Sequence, residues 1–275
     1  MTSKTYATVL VEQEGLITWV SFNRPEKRNA MNPQLCFDMV DVLTELDTDP
    51  ECQVLILTGK GEAFSAGMDL REYFRALDDK PVEQARAREA DRRWNWLKLS
   101  NFSKPTIAMV NGYCFGGAFI PLVACDFAIA AHEATFGLSE INWGIIPGGL
   151  VSKVVTETMN YRKALYYGCT GKTFNGKEAE AIGLVTYSVP LSDLRCEVVG
   201  LAEELLQKNP AVLRATKEVI KGVRDMSVDQ AYDYIAAKQE QARFRDAEGT
   251  RARGMSEFLD TKTYRPGLGP VKRPE

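Results

Sequence analysis

Histidine is nearly absent from this 275-residue sequence, which contains only His132. Any Ser-His-Asp or Cys-His nucleophile would therefore depend on that one imidazole. His132 lies between a predicted strand and an ATFG segment, a position that favours a structural role. Cysteine pairs with CxxC spacing are missing too, so we expect buried, reduced thiols rather than a disulfide framework or a zinc site. The cysteines are Cys36, Cys52, Cys114, Cys125, Cys169 and Cys196.

Strong charge of either sign and long apolar runs are also lacking. The net charge is −3 and the pI is near 5.5, which creates no field that would gather nucleic acid or anionic lipid. The arginines of residues 86–93 alternate with Glu89 and Asp91, as on a solvated helix face. No run approaches the roughly 18 apolar residues of a membrane span, and the first residues lack a signal-peptide pattern. We expect a cytoplasmic protein with no nucleic-acid partner and no membrane.

The sequence instead alternates strand and helix patterns over most of its length. A hydrophobic content of 45% is enough for one large core. Two strands are predicted around Gly15, and Asn32 followed by Pro33 predicts the start of a helix. Further elements alternate as strands from Val54, Thr106 and Phe127 and a long helix over residues 82–100. This order predicts repeated ββα turns.

Beyond about residue 190 the strand pattern ends and amphipathic helical segments follow. Pro210 and Gly222 separate these segments as helix breaks. We therefore predict a core region over residues 1–195, with the active site, and a helical region over residues 196–275.

Two glycine-containing segments could present backbone amides to a ligand. In AFSAGMDL, residues 63–70, Gly67 permits close backbone approach, although a plain turn capped by Asp69 explains the same pattern. In NGYCFGGAFIPLVACD, residues 111–126, Gly116 and Gly117 open a short helix whose free amides suit a developing negative charge. Close packing between segments would explain that glycine pair equally well.

A third segment, ATFGLSEINWGIIPGG, isolates one carboxyl group. Glu140 stands alone there among apolar residues and glycines. Desolvation in such surroundings would raise its pKa, which suits an acid/base that works near neutrality. A surface glutamate in a loop is the alternative. No GxGxxG or P-loop pattern follows a strand, so phosphate binding of the nucleotide-fold kind is not predicted.

These three segments, in this order, resemble the crotonase (enoyl-CoA hydratase) superfamily. The resemblance extends from NRPEKRNAMN, residues 23–32, to the helical tail. It implies an α/β fold, the crotonase-type spiral of ββα turns with an α-helical C-terminal tail. It also implies a homotrimer or a dimer of trimers, in which residues 196–275 pack on a neighbouring subunit.

The same resemblance implies a role for individual residues. Glu140 is the acid/base, and the amides of Met68 and Gly117 form an oxyanion hole for the thioester carbonyl. No metal and no separate cofactor is implied, because coenzyme A is part of the acyl-CoA substrate. The implied coenzyme A contacts are Lys27, Arg28, Ala30, Ala66, Gly67, Met68, Asp69, Leu70, Gly116 and Gly117.

Within the superfamily, the chain is most similar to the hydroxycinnamoyl-CoA (feruloyl-CoA) hydratase-lyases. The shared runs are AGMDL followed by EYFR, KPTIAMVNG, CFGG, PLVACD and FGLSEINWGI. The likeness implies hydration of feruloyl-CoA or another 4-hydroxycinnamoyl-CoA, then retro-aldol cleavage to vanillin or 4-hydroxybenzaldehyde plus acetyl-CoA. The substrate contacts we expect are Tyr73, Ser139, Trp143, Gly148, Ile120 and Tyr234.

Two positions depart from the family pattern. Ile120 replaces the second glutamate of ordinary hydratases and the small hydroxyl residue expected in hydratase-lyases. Ala236 replaces a tyrosine of the DYxYAK pattern, which leaves Tyr73 and Tyr234 as candidates for binding the phenol. Two alternatives therefore stay open: a hydratase or isomerase without cleavage, and a non-catalytic acyl-CoA-binding homologue.

Overall fold

A computed structural model describes residues 6–265 and residue 269. The chain forms two compact units. Unit 1 extends to Phe102 and from Thr106 to Val199, and unit 2 contains Ser103–Pro105 and the chain from Gly200 on. The first five residues, used above to assess a signal peptide, and the last part of the predicted helical region lie outside the described residues.

Unit 1 is built on two sheets. The first has the order β1-β2-β3-β5-β7-β10 and is parallel except for the β1–β2 pair. The second has the order β4-β6-β8-β9 and is parallel except for the β8–β9 pair. The strands are β1 (Val9–Glu14), β2 (Ile17–Phe22), β3 (Val54–Gly59), β4 (Ala63–Ser65), β5 (Thr106–Val110), β6 (Tyr113–Phe115), β7 (Phe127–Ala131), β8 (Thr135–Gly137), β9 (Thr173–Asn175) and β10 (Tyr187–Val189).

Successive turns of the chain supply one strand to each sheet. β3 continues into β4, β5 into β6 and β7 into β8, so the second sheet stacks the second strand of each turn. Parallel pairing then brings the carboxyl ends of β4, β6 and β8 to one edge. This arrangement confirms the predicted α/β fold of ββα turns.

Helices connect the strands of unit 1, and within the described residues after residue 200 the regular elements are helices. Asn32 accepts a hydrogen bond from the Leu35 amide and so caps α1, as the sequence predicts. The helices are α1 (Pro33–Thr48), α2 (Pro81–Arg92), α3 (Phe119–Ala124), α4 (Val151–Thr158), α5 (Tyr161–Thr170), α6 (Gly176–Ala181), α7 (Leu194–Leu206), α8 (Pro210–Gly222), α9 (Val228–Arg245) and α10 (Thr250–Leu259). Among the described residues, no helix combines the length and the apolarity that crossing a membrane requires.

The core of unit 1 includes the first sheet and the inner face of α1. Every residue of β2 and β3 is buried, which explains why these strands are continuously apolar rather than alternating. From α1, the buried face includes Leu35, Met39 and Leu43 at helical spacing. His132 accepts or donates one ring hydrogen bond at Nε2 to the Ser188 carbonyl, a contact that fits a structural role.

Two expectations from the sequence are wrong. Cys169 and Cys196 are exposed, because they lie on outer faces of α5 and α7, whereas the other four cysteines are buried. The expected solvated face is wrong only at Asp91, which points into the protein, whereas the other charged residues of the stretch are exposed: Arg86, Arg88, Glu89, Arg92 and Arg93. After Arg92 the helix changes from α2 to a π-helix, Arg93–Lys98. The wider π turn rotates the following side chains and buries Trp94.

Unit 2 is held together by polar contacts between its helices. Asn209 caps α8 and donates to Asp246 and Thr250 at 2.7 and 2.9 Å. The Lys238 ammonium of α9 forms an ion pair with the Glu218 carboxylate of α8. None of the residues of α8, α9 or α10 is buried, although their faces carry apolar side chains.

Candidate active site

Three site segments meet because each follows a neighbouring strand of the second sheet. Met68 lies three residues beyond β4, Gly117 two residues beyond β6, and Glu140 three residues beyond β8. Those strands are adjacent and parallel, so their carboxyl ends share an edge. Ligand sites in open parallel sheets form at such an edge.

Glu140 lies on a 3-10 helix, Ser139–Trp143, against the glycine turn that follows β6. A Cβ atom at Gly116 would stand 3.1 Å from Glu140 Oε1, and Gly116 has a φ of +50°. A side chain at this position would be strained and would press on the carboxylate. Glycine therefore allows Glu140 to lie directly over the start of the short helix.

The Glu140 carboxylate has an oxygen that no protein group satisfies. Oε2 is buried and has no hydrogen-bond partner among the described residues. Burial raises the pKa of Glu140, and its own backbone amide only partly opposes that effect. A half-buried carboxyl group with a free oxygen and a raised pKa is suited to exchanging a proton with a ligand.

An isolated strand pairing leaves the Met68 amide free of backbone partners among the described residues. Met31 donates to the Gly67 carbonyl at 2.8 Å and accepts from the Asp69 amide at 2.9 Å. In this parallel bridge the amide of Met68 itself points to the opposite side of its segment. Neither the Met68 nor the Gly117 amide has an acceptor within the described part of the chain.

Gly67 brings these two amides together. Its φ is +88°, and a Cβ atom there would stand 2.6 Å from the Phe115 carbonyl oxygen and 3.2 Å from the Gly117 nitrogen. No other residue fits at this distance, so the close-approach interpretation of Gly67 is correct. Two unpaired amides on adjacent segments can stabilise one oxyanion.

The segments predicted to contact coenzyme A are also neighbours. The Ala66 amide donates to the Arg28 carbonyl at 2.8 Å, which joins the loop of residues 27–30 to the loop after β4. Lys27 and Arg28 are exposed, and Arg28 lies over the Tyr113 ring at 4.7 Å. Two cationic side chains at this edge suit a phosphate-bearing ligand.

Asp69 has a role inside the protein. Its Oδ1 caps the π-helix Leu70–Phe74 by accepting from the Arg71 and Glu72 amides, and its Oδ2 accepts from Arg24 at 3.0 Å. These bonds outweigh burial and hold the pKa of Asp69 below its usual range. The carboxylate is thus committed to the protein, and any contact of Asp69 with coenzyme A would involve its backbone.

Ile120 of α3 lies near the loop that follows the 3-10 helix of Glu140. Ile120 is 5% exposed, and a Cβ atom at Gly149 would lie 3.6 Å from its Cδ1. The loop containing Gly148 therefore passes close to Ile120. Ser139 is half-buried beside Glu140, whereas Trp143 is 67% exposed on this chain.

Tyr73 and Tyr234 occupy different units. Tyr73 lies on the π-helix that begins just after Asp69, and its side chain is 6% exposed. Tyr234 belongs to α9 of unit 2, where its hydroxyl donates to the Glu218 carbonyl at 3.3 Å. Tyr234 as a substrate contact stays a prediction.

Two further residues, not singled out in the sequence, shape this site. Arg24 is 7% exposed and joins Asp69, Glu72 and the Ala30 carbonyl. Met31 pairs with Met68 and places its Cε 3.3 Å from a Cβ built on Gly117. Both residues belong to the NRPEKRNAMN run, but their spacing in the sequence does not indicate that they contact the segment from Met68 to Glu72.

A metal site has no basis in the described residues. Residues 6–265 and 269 contain no group of three or more His, Cys, Asp or Glu side chains arranged to hold an ion. The expectation that the reaction needs no cofactor stays a prediction.

Comparison with known proteins gives one family. The model of the enoyl-CoA hydratase/isomerase family matches residues 12–265. A hydroxycinnamoyl-CoA hydratase-lyase of Pseudomonas fluorescens is 55% identical over 269 residues, covering 98% of each chain. A 2,3-dehydroadipyl-CoA hydratase of Escherichia coli is 29% identical, covering 93% of this chain and 96% of the other.

Solved structures agree with the sequence relatives. The crystal structure of an enoyl-CoA hydratase from Bacillus anthracis has a TM-score of 0.84 and 26% identity, and the match covers 98% of this chain and 100% of the other. The similarity extends over both units, including the helices after residue 200.

Proposed function

The chain belongs to the enoyl-CoA hydratase/isomerase family, and from this premise we propose a hydratase-lyase that acts on 4-hydroxycinnamoyl-CoA thioesters. The substrate class is an acyl-CoA thioester, as predicted. The products are an aromatic aldehyde, vanillin from feruloyl-CoA or 4-hydroxybenzaldehyde from 4-coumaroyl-CoA, and acetyl-CoA. The identity of 55% over nearly the full chain to a hydratase-lyase supports this activity over a hydratase that stops before cleavage.

One observation carries the chemistry: a single carboxyl with a free oxygen lies beside two unpaired amides. Glu140 stands over Gly116, and the amides of Met68 and Gly117 adjoin each other across Gly67. The amides hold the thioester carbonyl oxygen as negative charge develops there. Glu140 then lies on the side where the α- and β-carbons of the same acyl group extend.

In hydration, the Glu140 carboxylate takes a proton from water while the water oxygen bonds to the β-carbon. The electron pair of the double bond moves to the thioester oxygen, and the enolate is held by the two amides. Protonated Glu140 returns its proton to the α-carbon. Its raised pKa keeps both protonation states accessible.

In cleavage, the same carboxylate takes the proton of the β-hydroxyl group. The bond between the α- and β-carbons breaks, the aldehyde leaves, and the electron pair passes back to the thioester oxygen as the acetyl-CoA enolate. Glu140 protonates the α-carbon to complete acetyl-CoA. One carboxyl serves both steps, which accommodates Ile120 in place of a second glutamate.

The decisive experiment separates and identifies the products formed from feruloyl-CoA. We expect vanillin and acetyl-CoA in equal amounts. Accumulation of the β-hydroxyacyl thioester alone would make the chain a hydratase, and no turnover of any acyl-CoA would make it a binding homologue.

Tyr73→Phe tests the proposed phenol contact. We expect aldehyde release from 4-coumaroyl-CoA and feruloyl-CoA to fall by about 10-fold or more, since a hydrogen bond to developing phenolate charge is lost. Tyr161→Phe, at an exposed tyrosine of α5, is the matched control. Full activity of Tyr73→Phe, or equal cleavage of unsubstituted cinnamoyl-CoA by the parent, would refute phenol binding by Tyr73.

The assembly we propose is a homotrimer or a dimer of trimers, formed through unit 2. Apolar side chains on its helices remain open to solvent in the single chain, which supports a subunit interface there. Examples are Ile220, Val228, Tyr232, Phe244 and Phe258.

A further inference from the structure

Tyr73 forms one polar cluster with Cys36 of α1, Asp91 of α2 and Asn95 of the π-helix that follows α2. Glu72, the neighbour of Tyr73 in sequence, accepts from Asn32 at 2.6 Å, which brings this segment to the N-terminal end of α1, where Cys36 lies. Asn95 is 2% exposed and donates to Asp91 Oδ1 at 2.7 Å. The Cys36 thiol, fully buried, lies 4.0 Å from the same oxygen. We call these four residues the Tyr73 cluster.

Two polar atoms of the Tyr73 cluster have no protein partner. Among the described residues, neither the Tyr73 hydroxyl nor Asp91 Oδ2 forms a hydrogen bond, and Asp91 forms no ion pair. Both side chains are nevertheless largely removed from water. Neither atom is among the fully buried atoms that lack a partner in the described residues, so both keep some contact with solvent and are open to a ligand.

Electrostatics links the two groups. After burial, the Asp91 carboxylate is the largest cause that raises the pKa of Tyr73, followed by Cys36, and only the Arg88 guanidinium opposes them. Burial raises the pKa of Asp91 to about 7, while the Asn95 bond lowers it. Tyr73 thus stays a neutral donor, and Asp91 is available as an acceptor at neutral pH and above.

We infer that Asp91 is a specificity-determining residue that, with Tyr73, binds a ring hydroxyl of the acyl group. This inference rests on the proposed function. The Tyr73 hydroxyl donates to the phenol oxygen, and the phenol O–H donates to Asp91 Oδ2. Tyr73 lies five residues after Met68, so the ring contact and the oxyanion amide share one segment.

This pairing explains how the chain functions with Ala236 in place of a tyrosine. The second phenol contact comes from α2 of unit 1 instead of from the tail. An ionised carboxylate accepts but does not donate, so it selects a para-hydroxyl group against hydrogen or methoxy.

The experiment measures binding of saturated thioesters, which cannot be hydrated. Calorimetry compares 3-(4-hydroxyphenyl)propanoyl-CoA, its 4-methoxy analogue and 3-phenylpropanoyl-CoA. We expect the parent to prefer the hydroxylated ligand by about 10-fold or more, and Asp91→Asn and Asp91→Leu to lose that preference with unchanged affinity for phenylpropanoyl-CoA. Glu89→Gln, on the exposed side of α2, should behave as the parent.

A pH series distinguishes this role from packing. Between pH 6 and pH 8 the parent's preference should increase as Asp91 ionises, whereas that of Asp91→Asn should stay constant. Cys36 and Tyr73 interact electrostatically with Asp91, and Arg88 acts on Tyr73. The pKa values of Cys36 and Tyr73 are raised above their usual values, so neither group ionises in this range.

Each possible result either supports or overturns the role of Asp91. A parent without preference for the hydroxylated ligand, or Asp91 variants that weaken all three ligands equally, would overturn the inference. If the Asp91-dependent preference holds but feruloyl-CoA gives no aldehyde, the proposed cleavage fails while the ring-hydroxyl site stands. Thermal melting of each variant confirms that the fold is intact.

Discussion

At the scale of single residues, Glu140 is the group on which the proposed chemistry depends. Glu140→Gln keeps the size of the side chain and removes proton exchange, so we expect kcat to fall by about 100-fold or more. Its Oε2 has no partner among the described residues, so the melting temperature should change little. Steady-state kinetics measures the change in kcat, and thermal melting measures the change in melting temperature. Near-parental turnover with unchanged melting would exclude Glu140 from the mechanism.

The raised pKa of Glu140 also predicts a pH profile. The first step needs the carboxylate, so activity of the parent should fall as pH decreases through a pKa above the usual range of glutamate. The residual activity of Glu140→Gln should lack that acidic limb. An identical limb in both proteins would assign it to another group.

At the scale of elements, the π-helix Leu70–Phe74 positions both the oxyanion amide and Tyr73. Asp69→Ala removes its N-cap and one partner of the buried Arg24. We expect a loss of about 2 kcal/mol in the free energy of unfolding. Since Met68 adjoins the cap, kcat should also fall, by about 10-fold. Denaturant titration and kinetics check the two effects.

The matched control is Asp69→Asn, whose side-chain oxygen can still accept the Arg71 and Glu72 amides. It keeps the cap but loses the Arg24 contact, because its Nδ2 cannot accept from the guanidinium. We therefore expect it to be less stable than the parent and to have a higher kcat than Asp69→Ala. If Asp69→Ala lost stability but kept full kcat, the cap would support the fold without positioning the Met68 amide.

At the scale of the whole molecule, the proposed assembly depends on unit 2. Phe244, near the end of α9, is 93% exposed in the single chain. A subunit interface that buries this ring would not tolerate a charge, so Phe244→Asp should shift the sedimentation of the protein toward the 30.7 kDa monomer. Lys177→Asp, at an exposed position of unit 1, is the control. A parent that sediments as a monomer would refute the trimer.

The order of ββα turns, the capped helix at Asn32 and the three segments of the site could be predicted from the amino-acid sequence. These features are local: apolar periodicity, caps and glycine positions depend on residues close in the chain. The run from Ala134 to Gly149 also carried the family likeness, and the prediction of a hydroxycinnamoyl-CoA hydratase-lyase agrees with the relative that is 55% identical.

Contacts between residues far apart in the chain could not be predicted from the sequence and became visible in the folded protein. Parallel pairing of β4, β6 and β8 brings Glu140 to Gly116, and the bridge between Met31 and Met68 leaves the Met68 amide free of backbone partners among the described residues. Asp91 looked like part of a solvated charged face, because its neighbours in sequence are charged. The π-helix and the packing of α2 on α1 bury it beside Cys36, and such long-range packing has no counterpart in local sequence pattern.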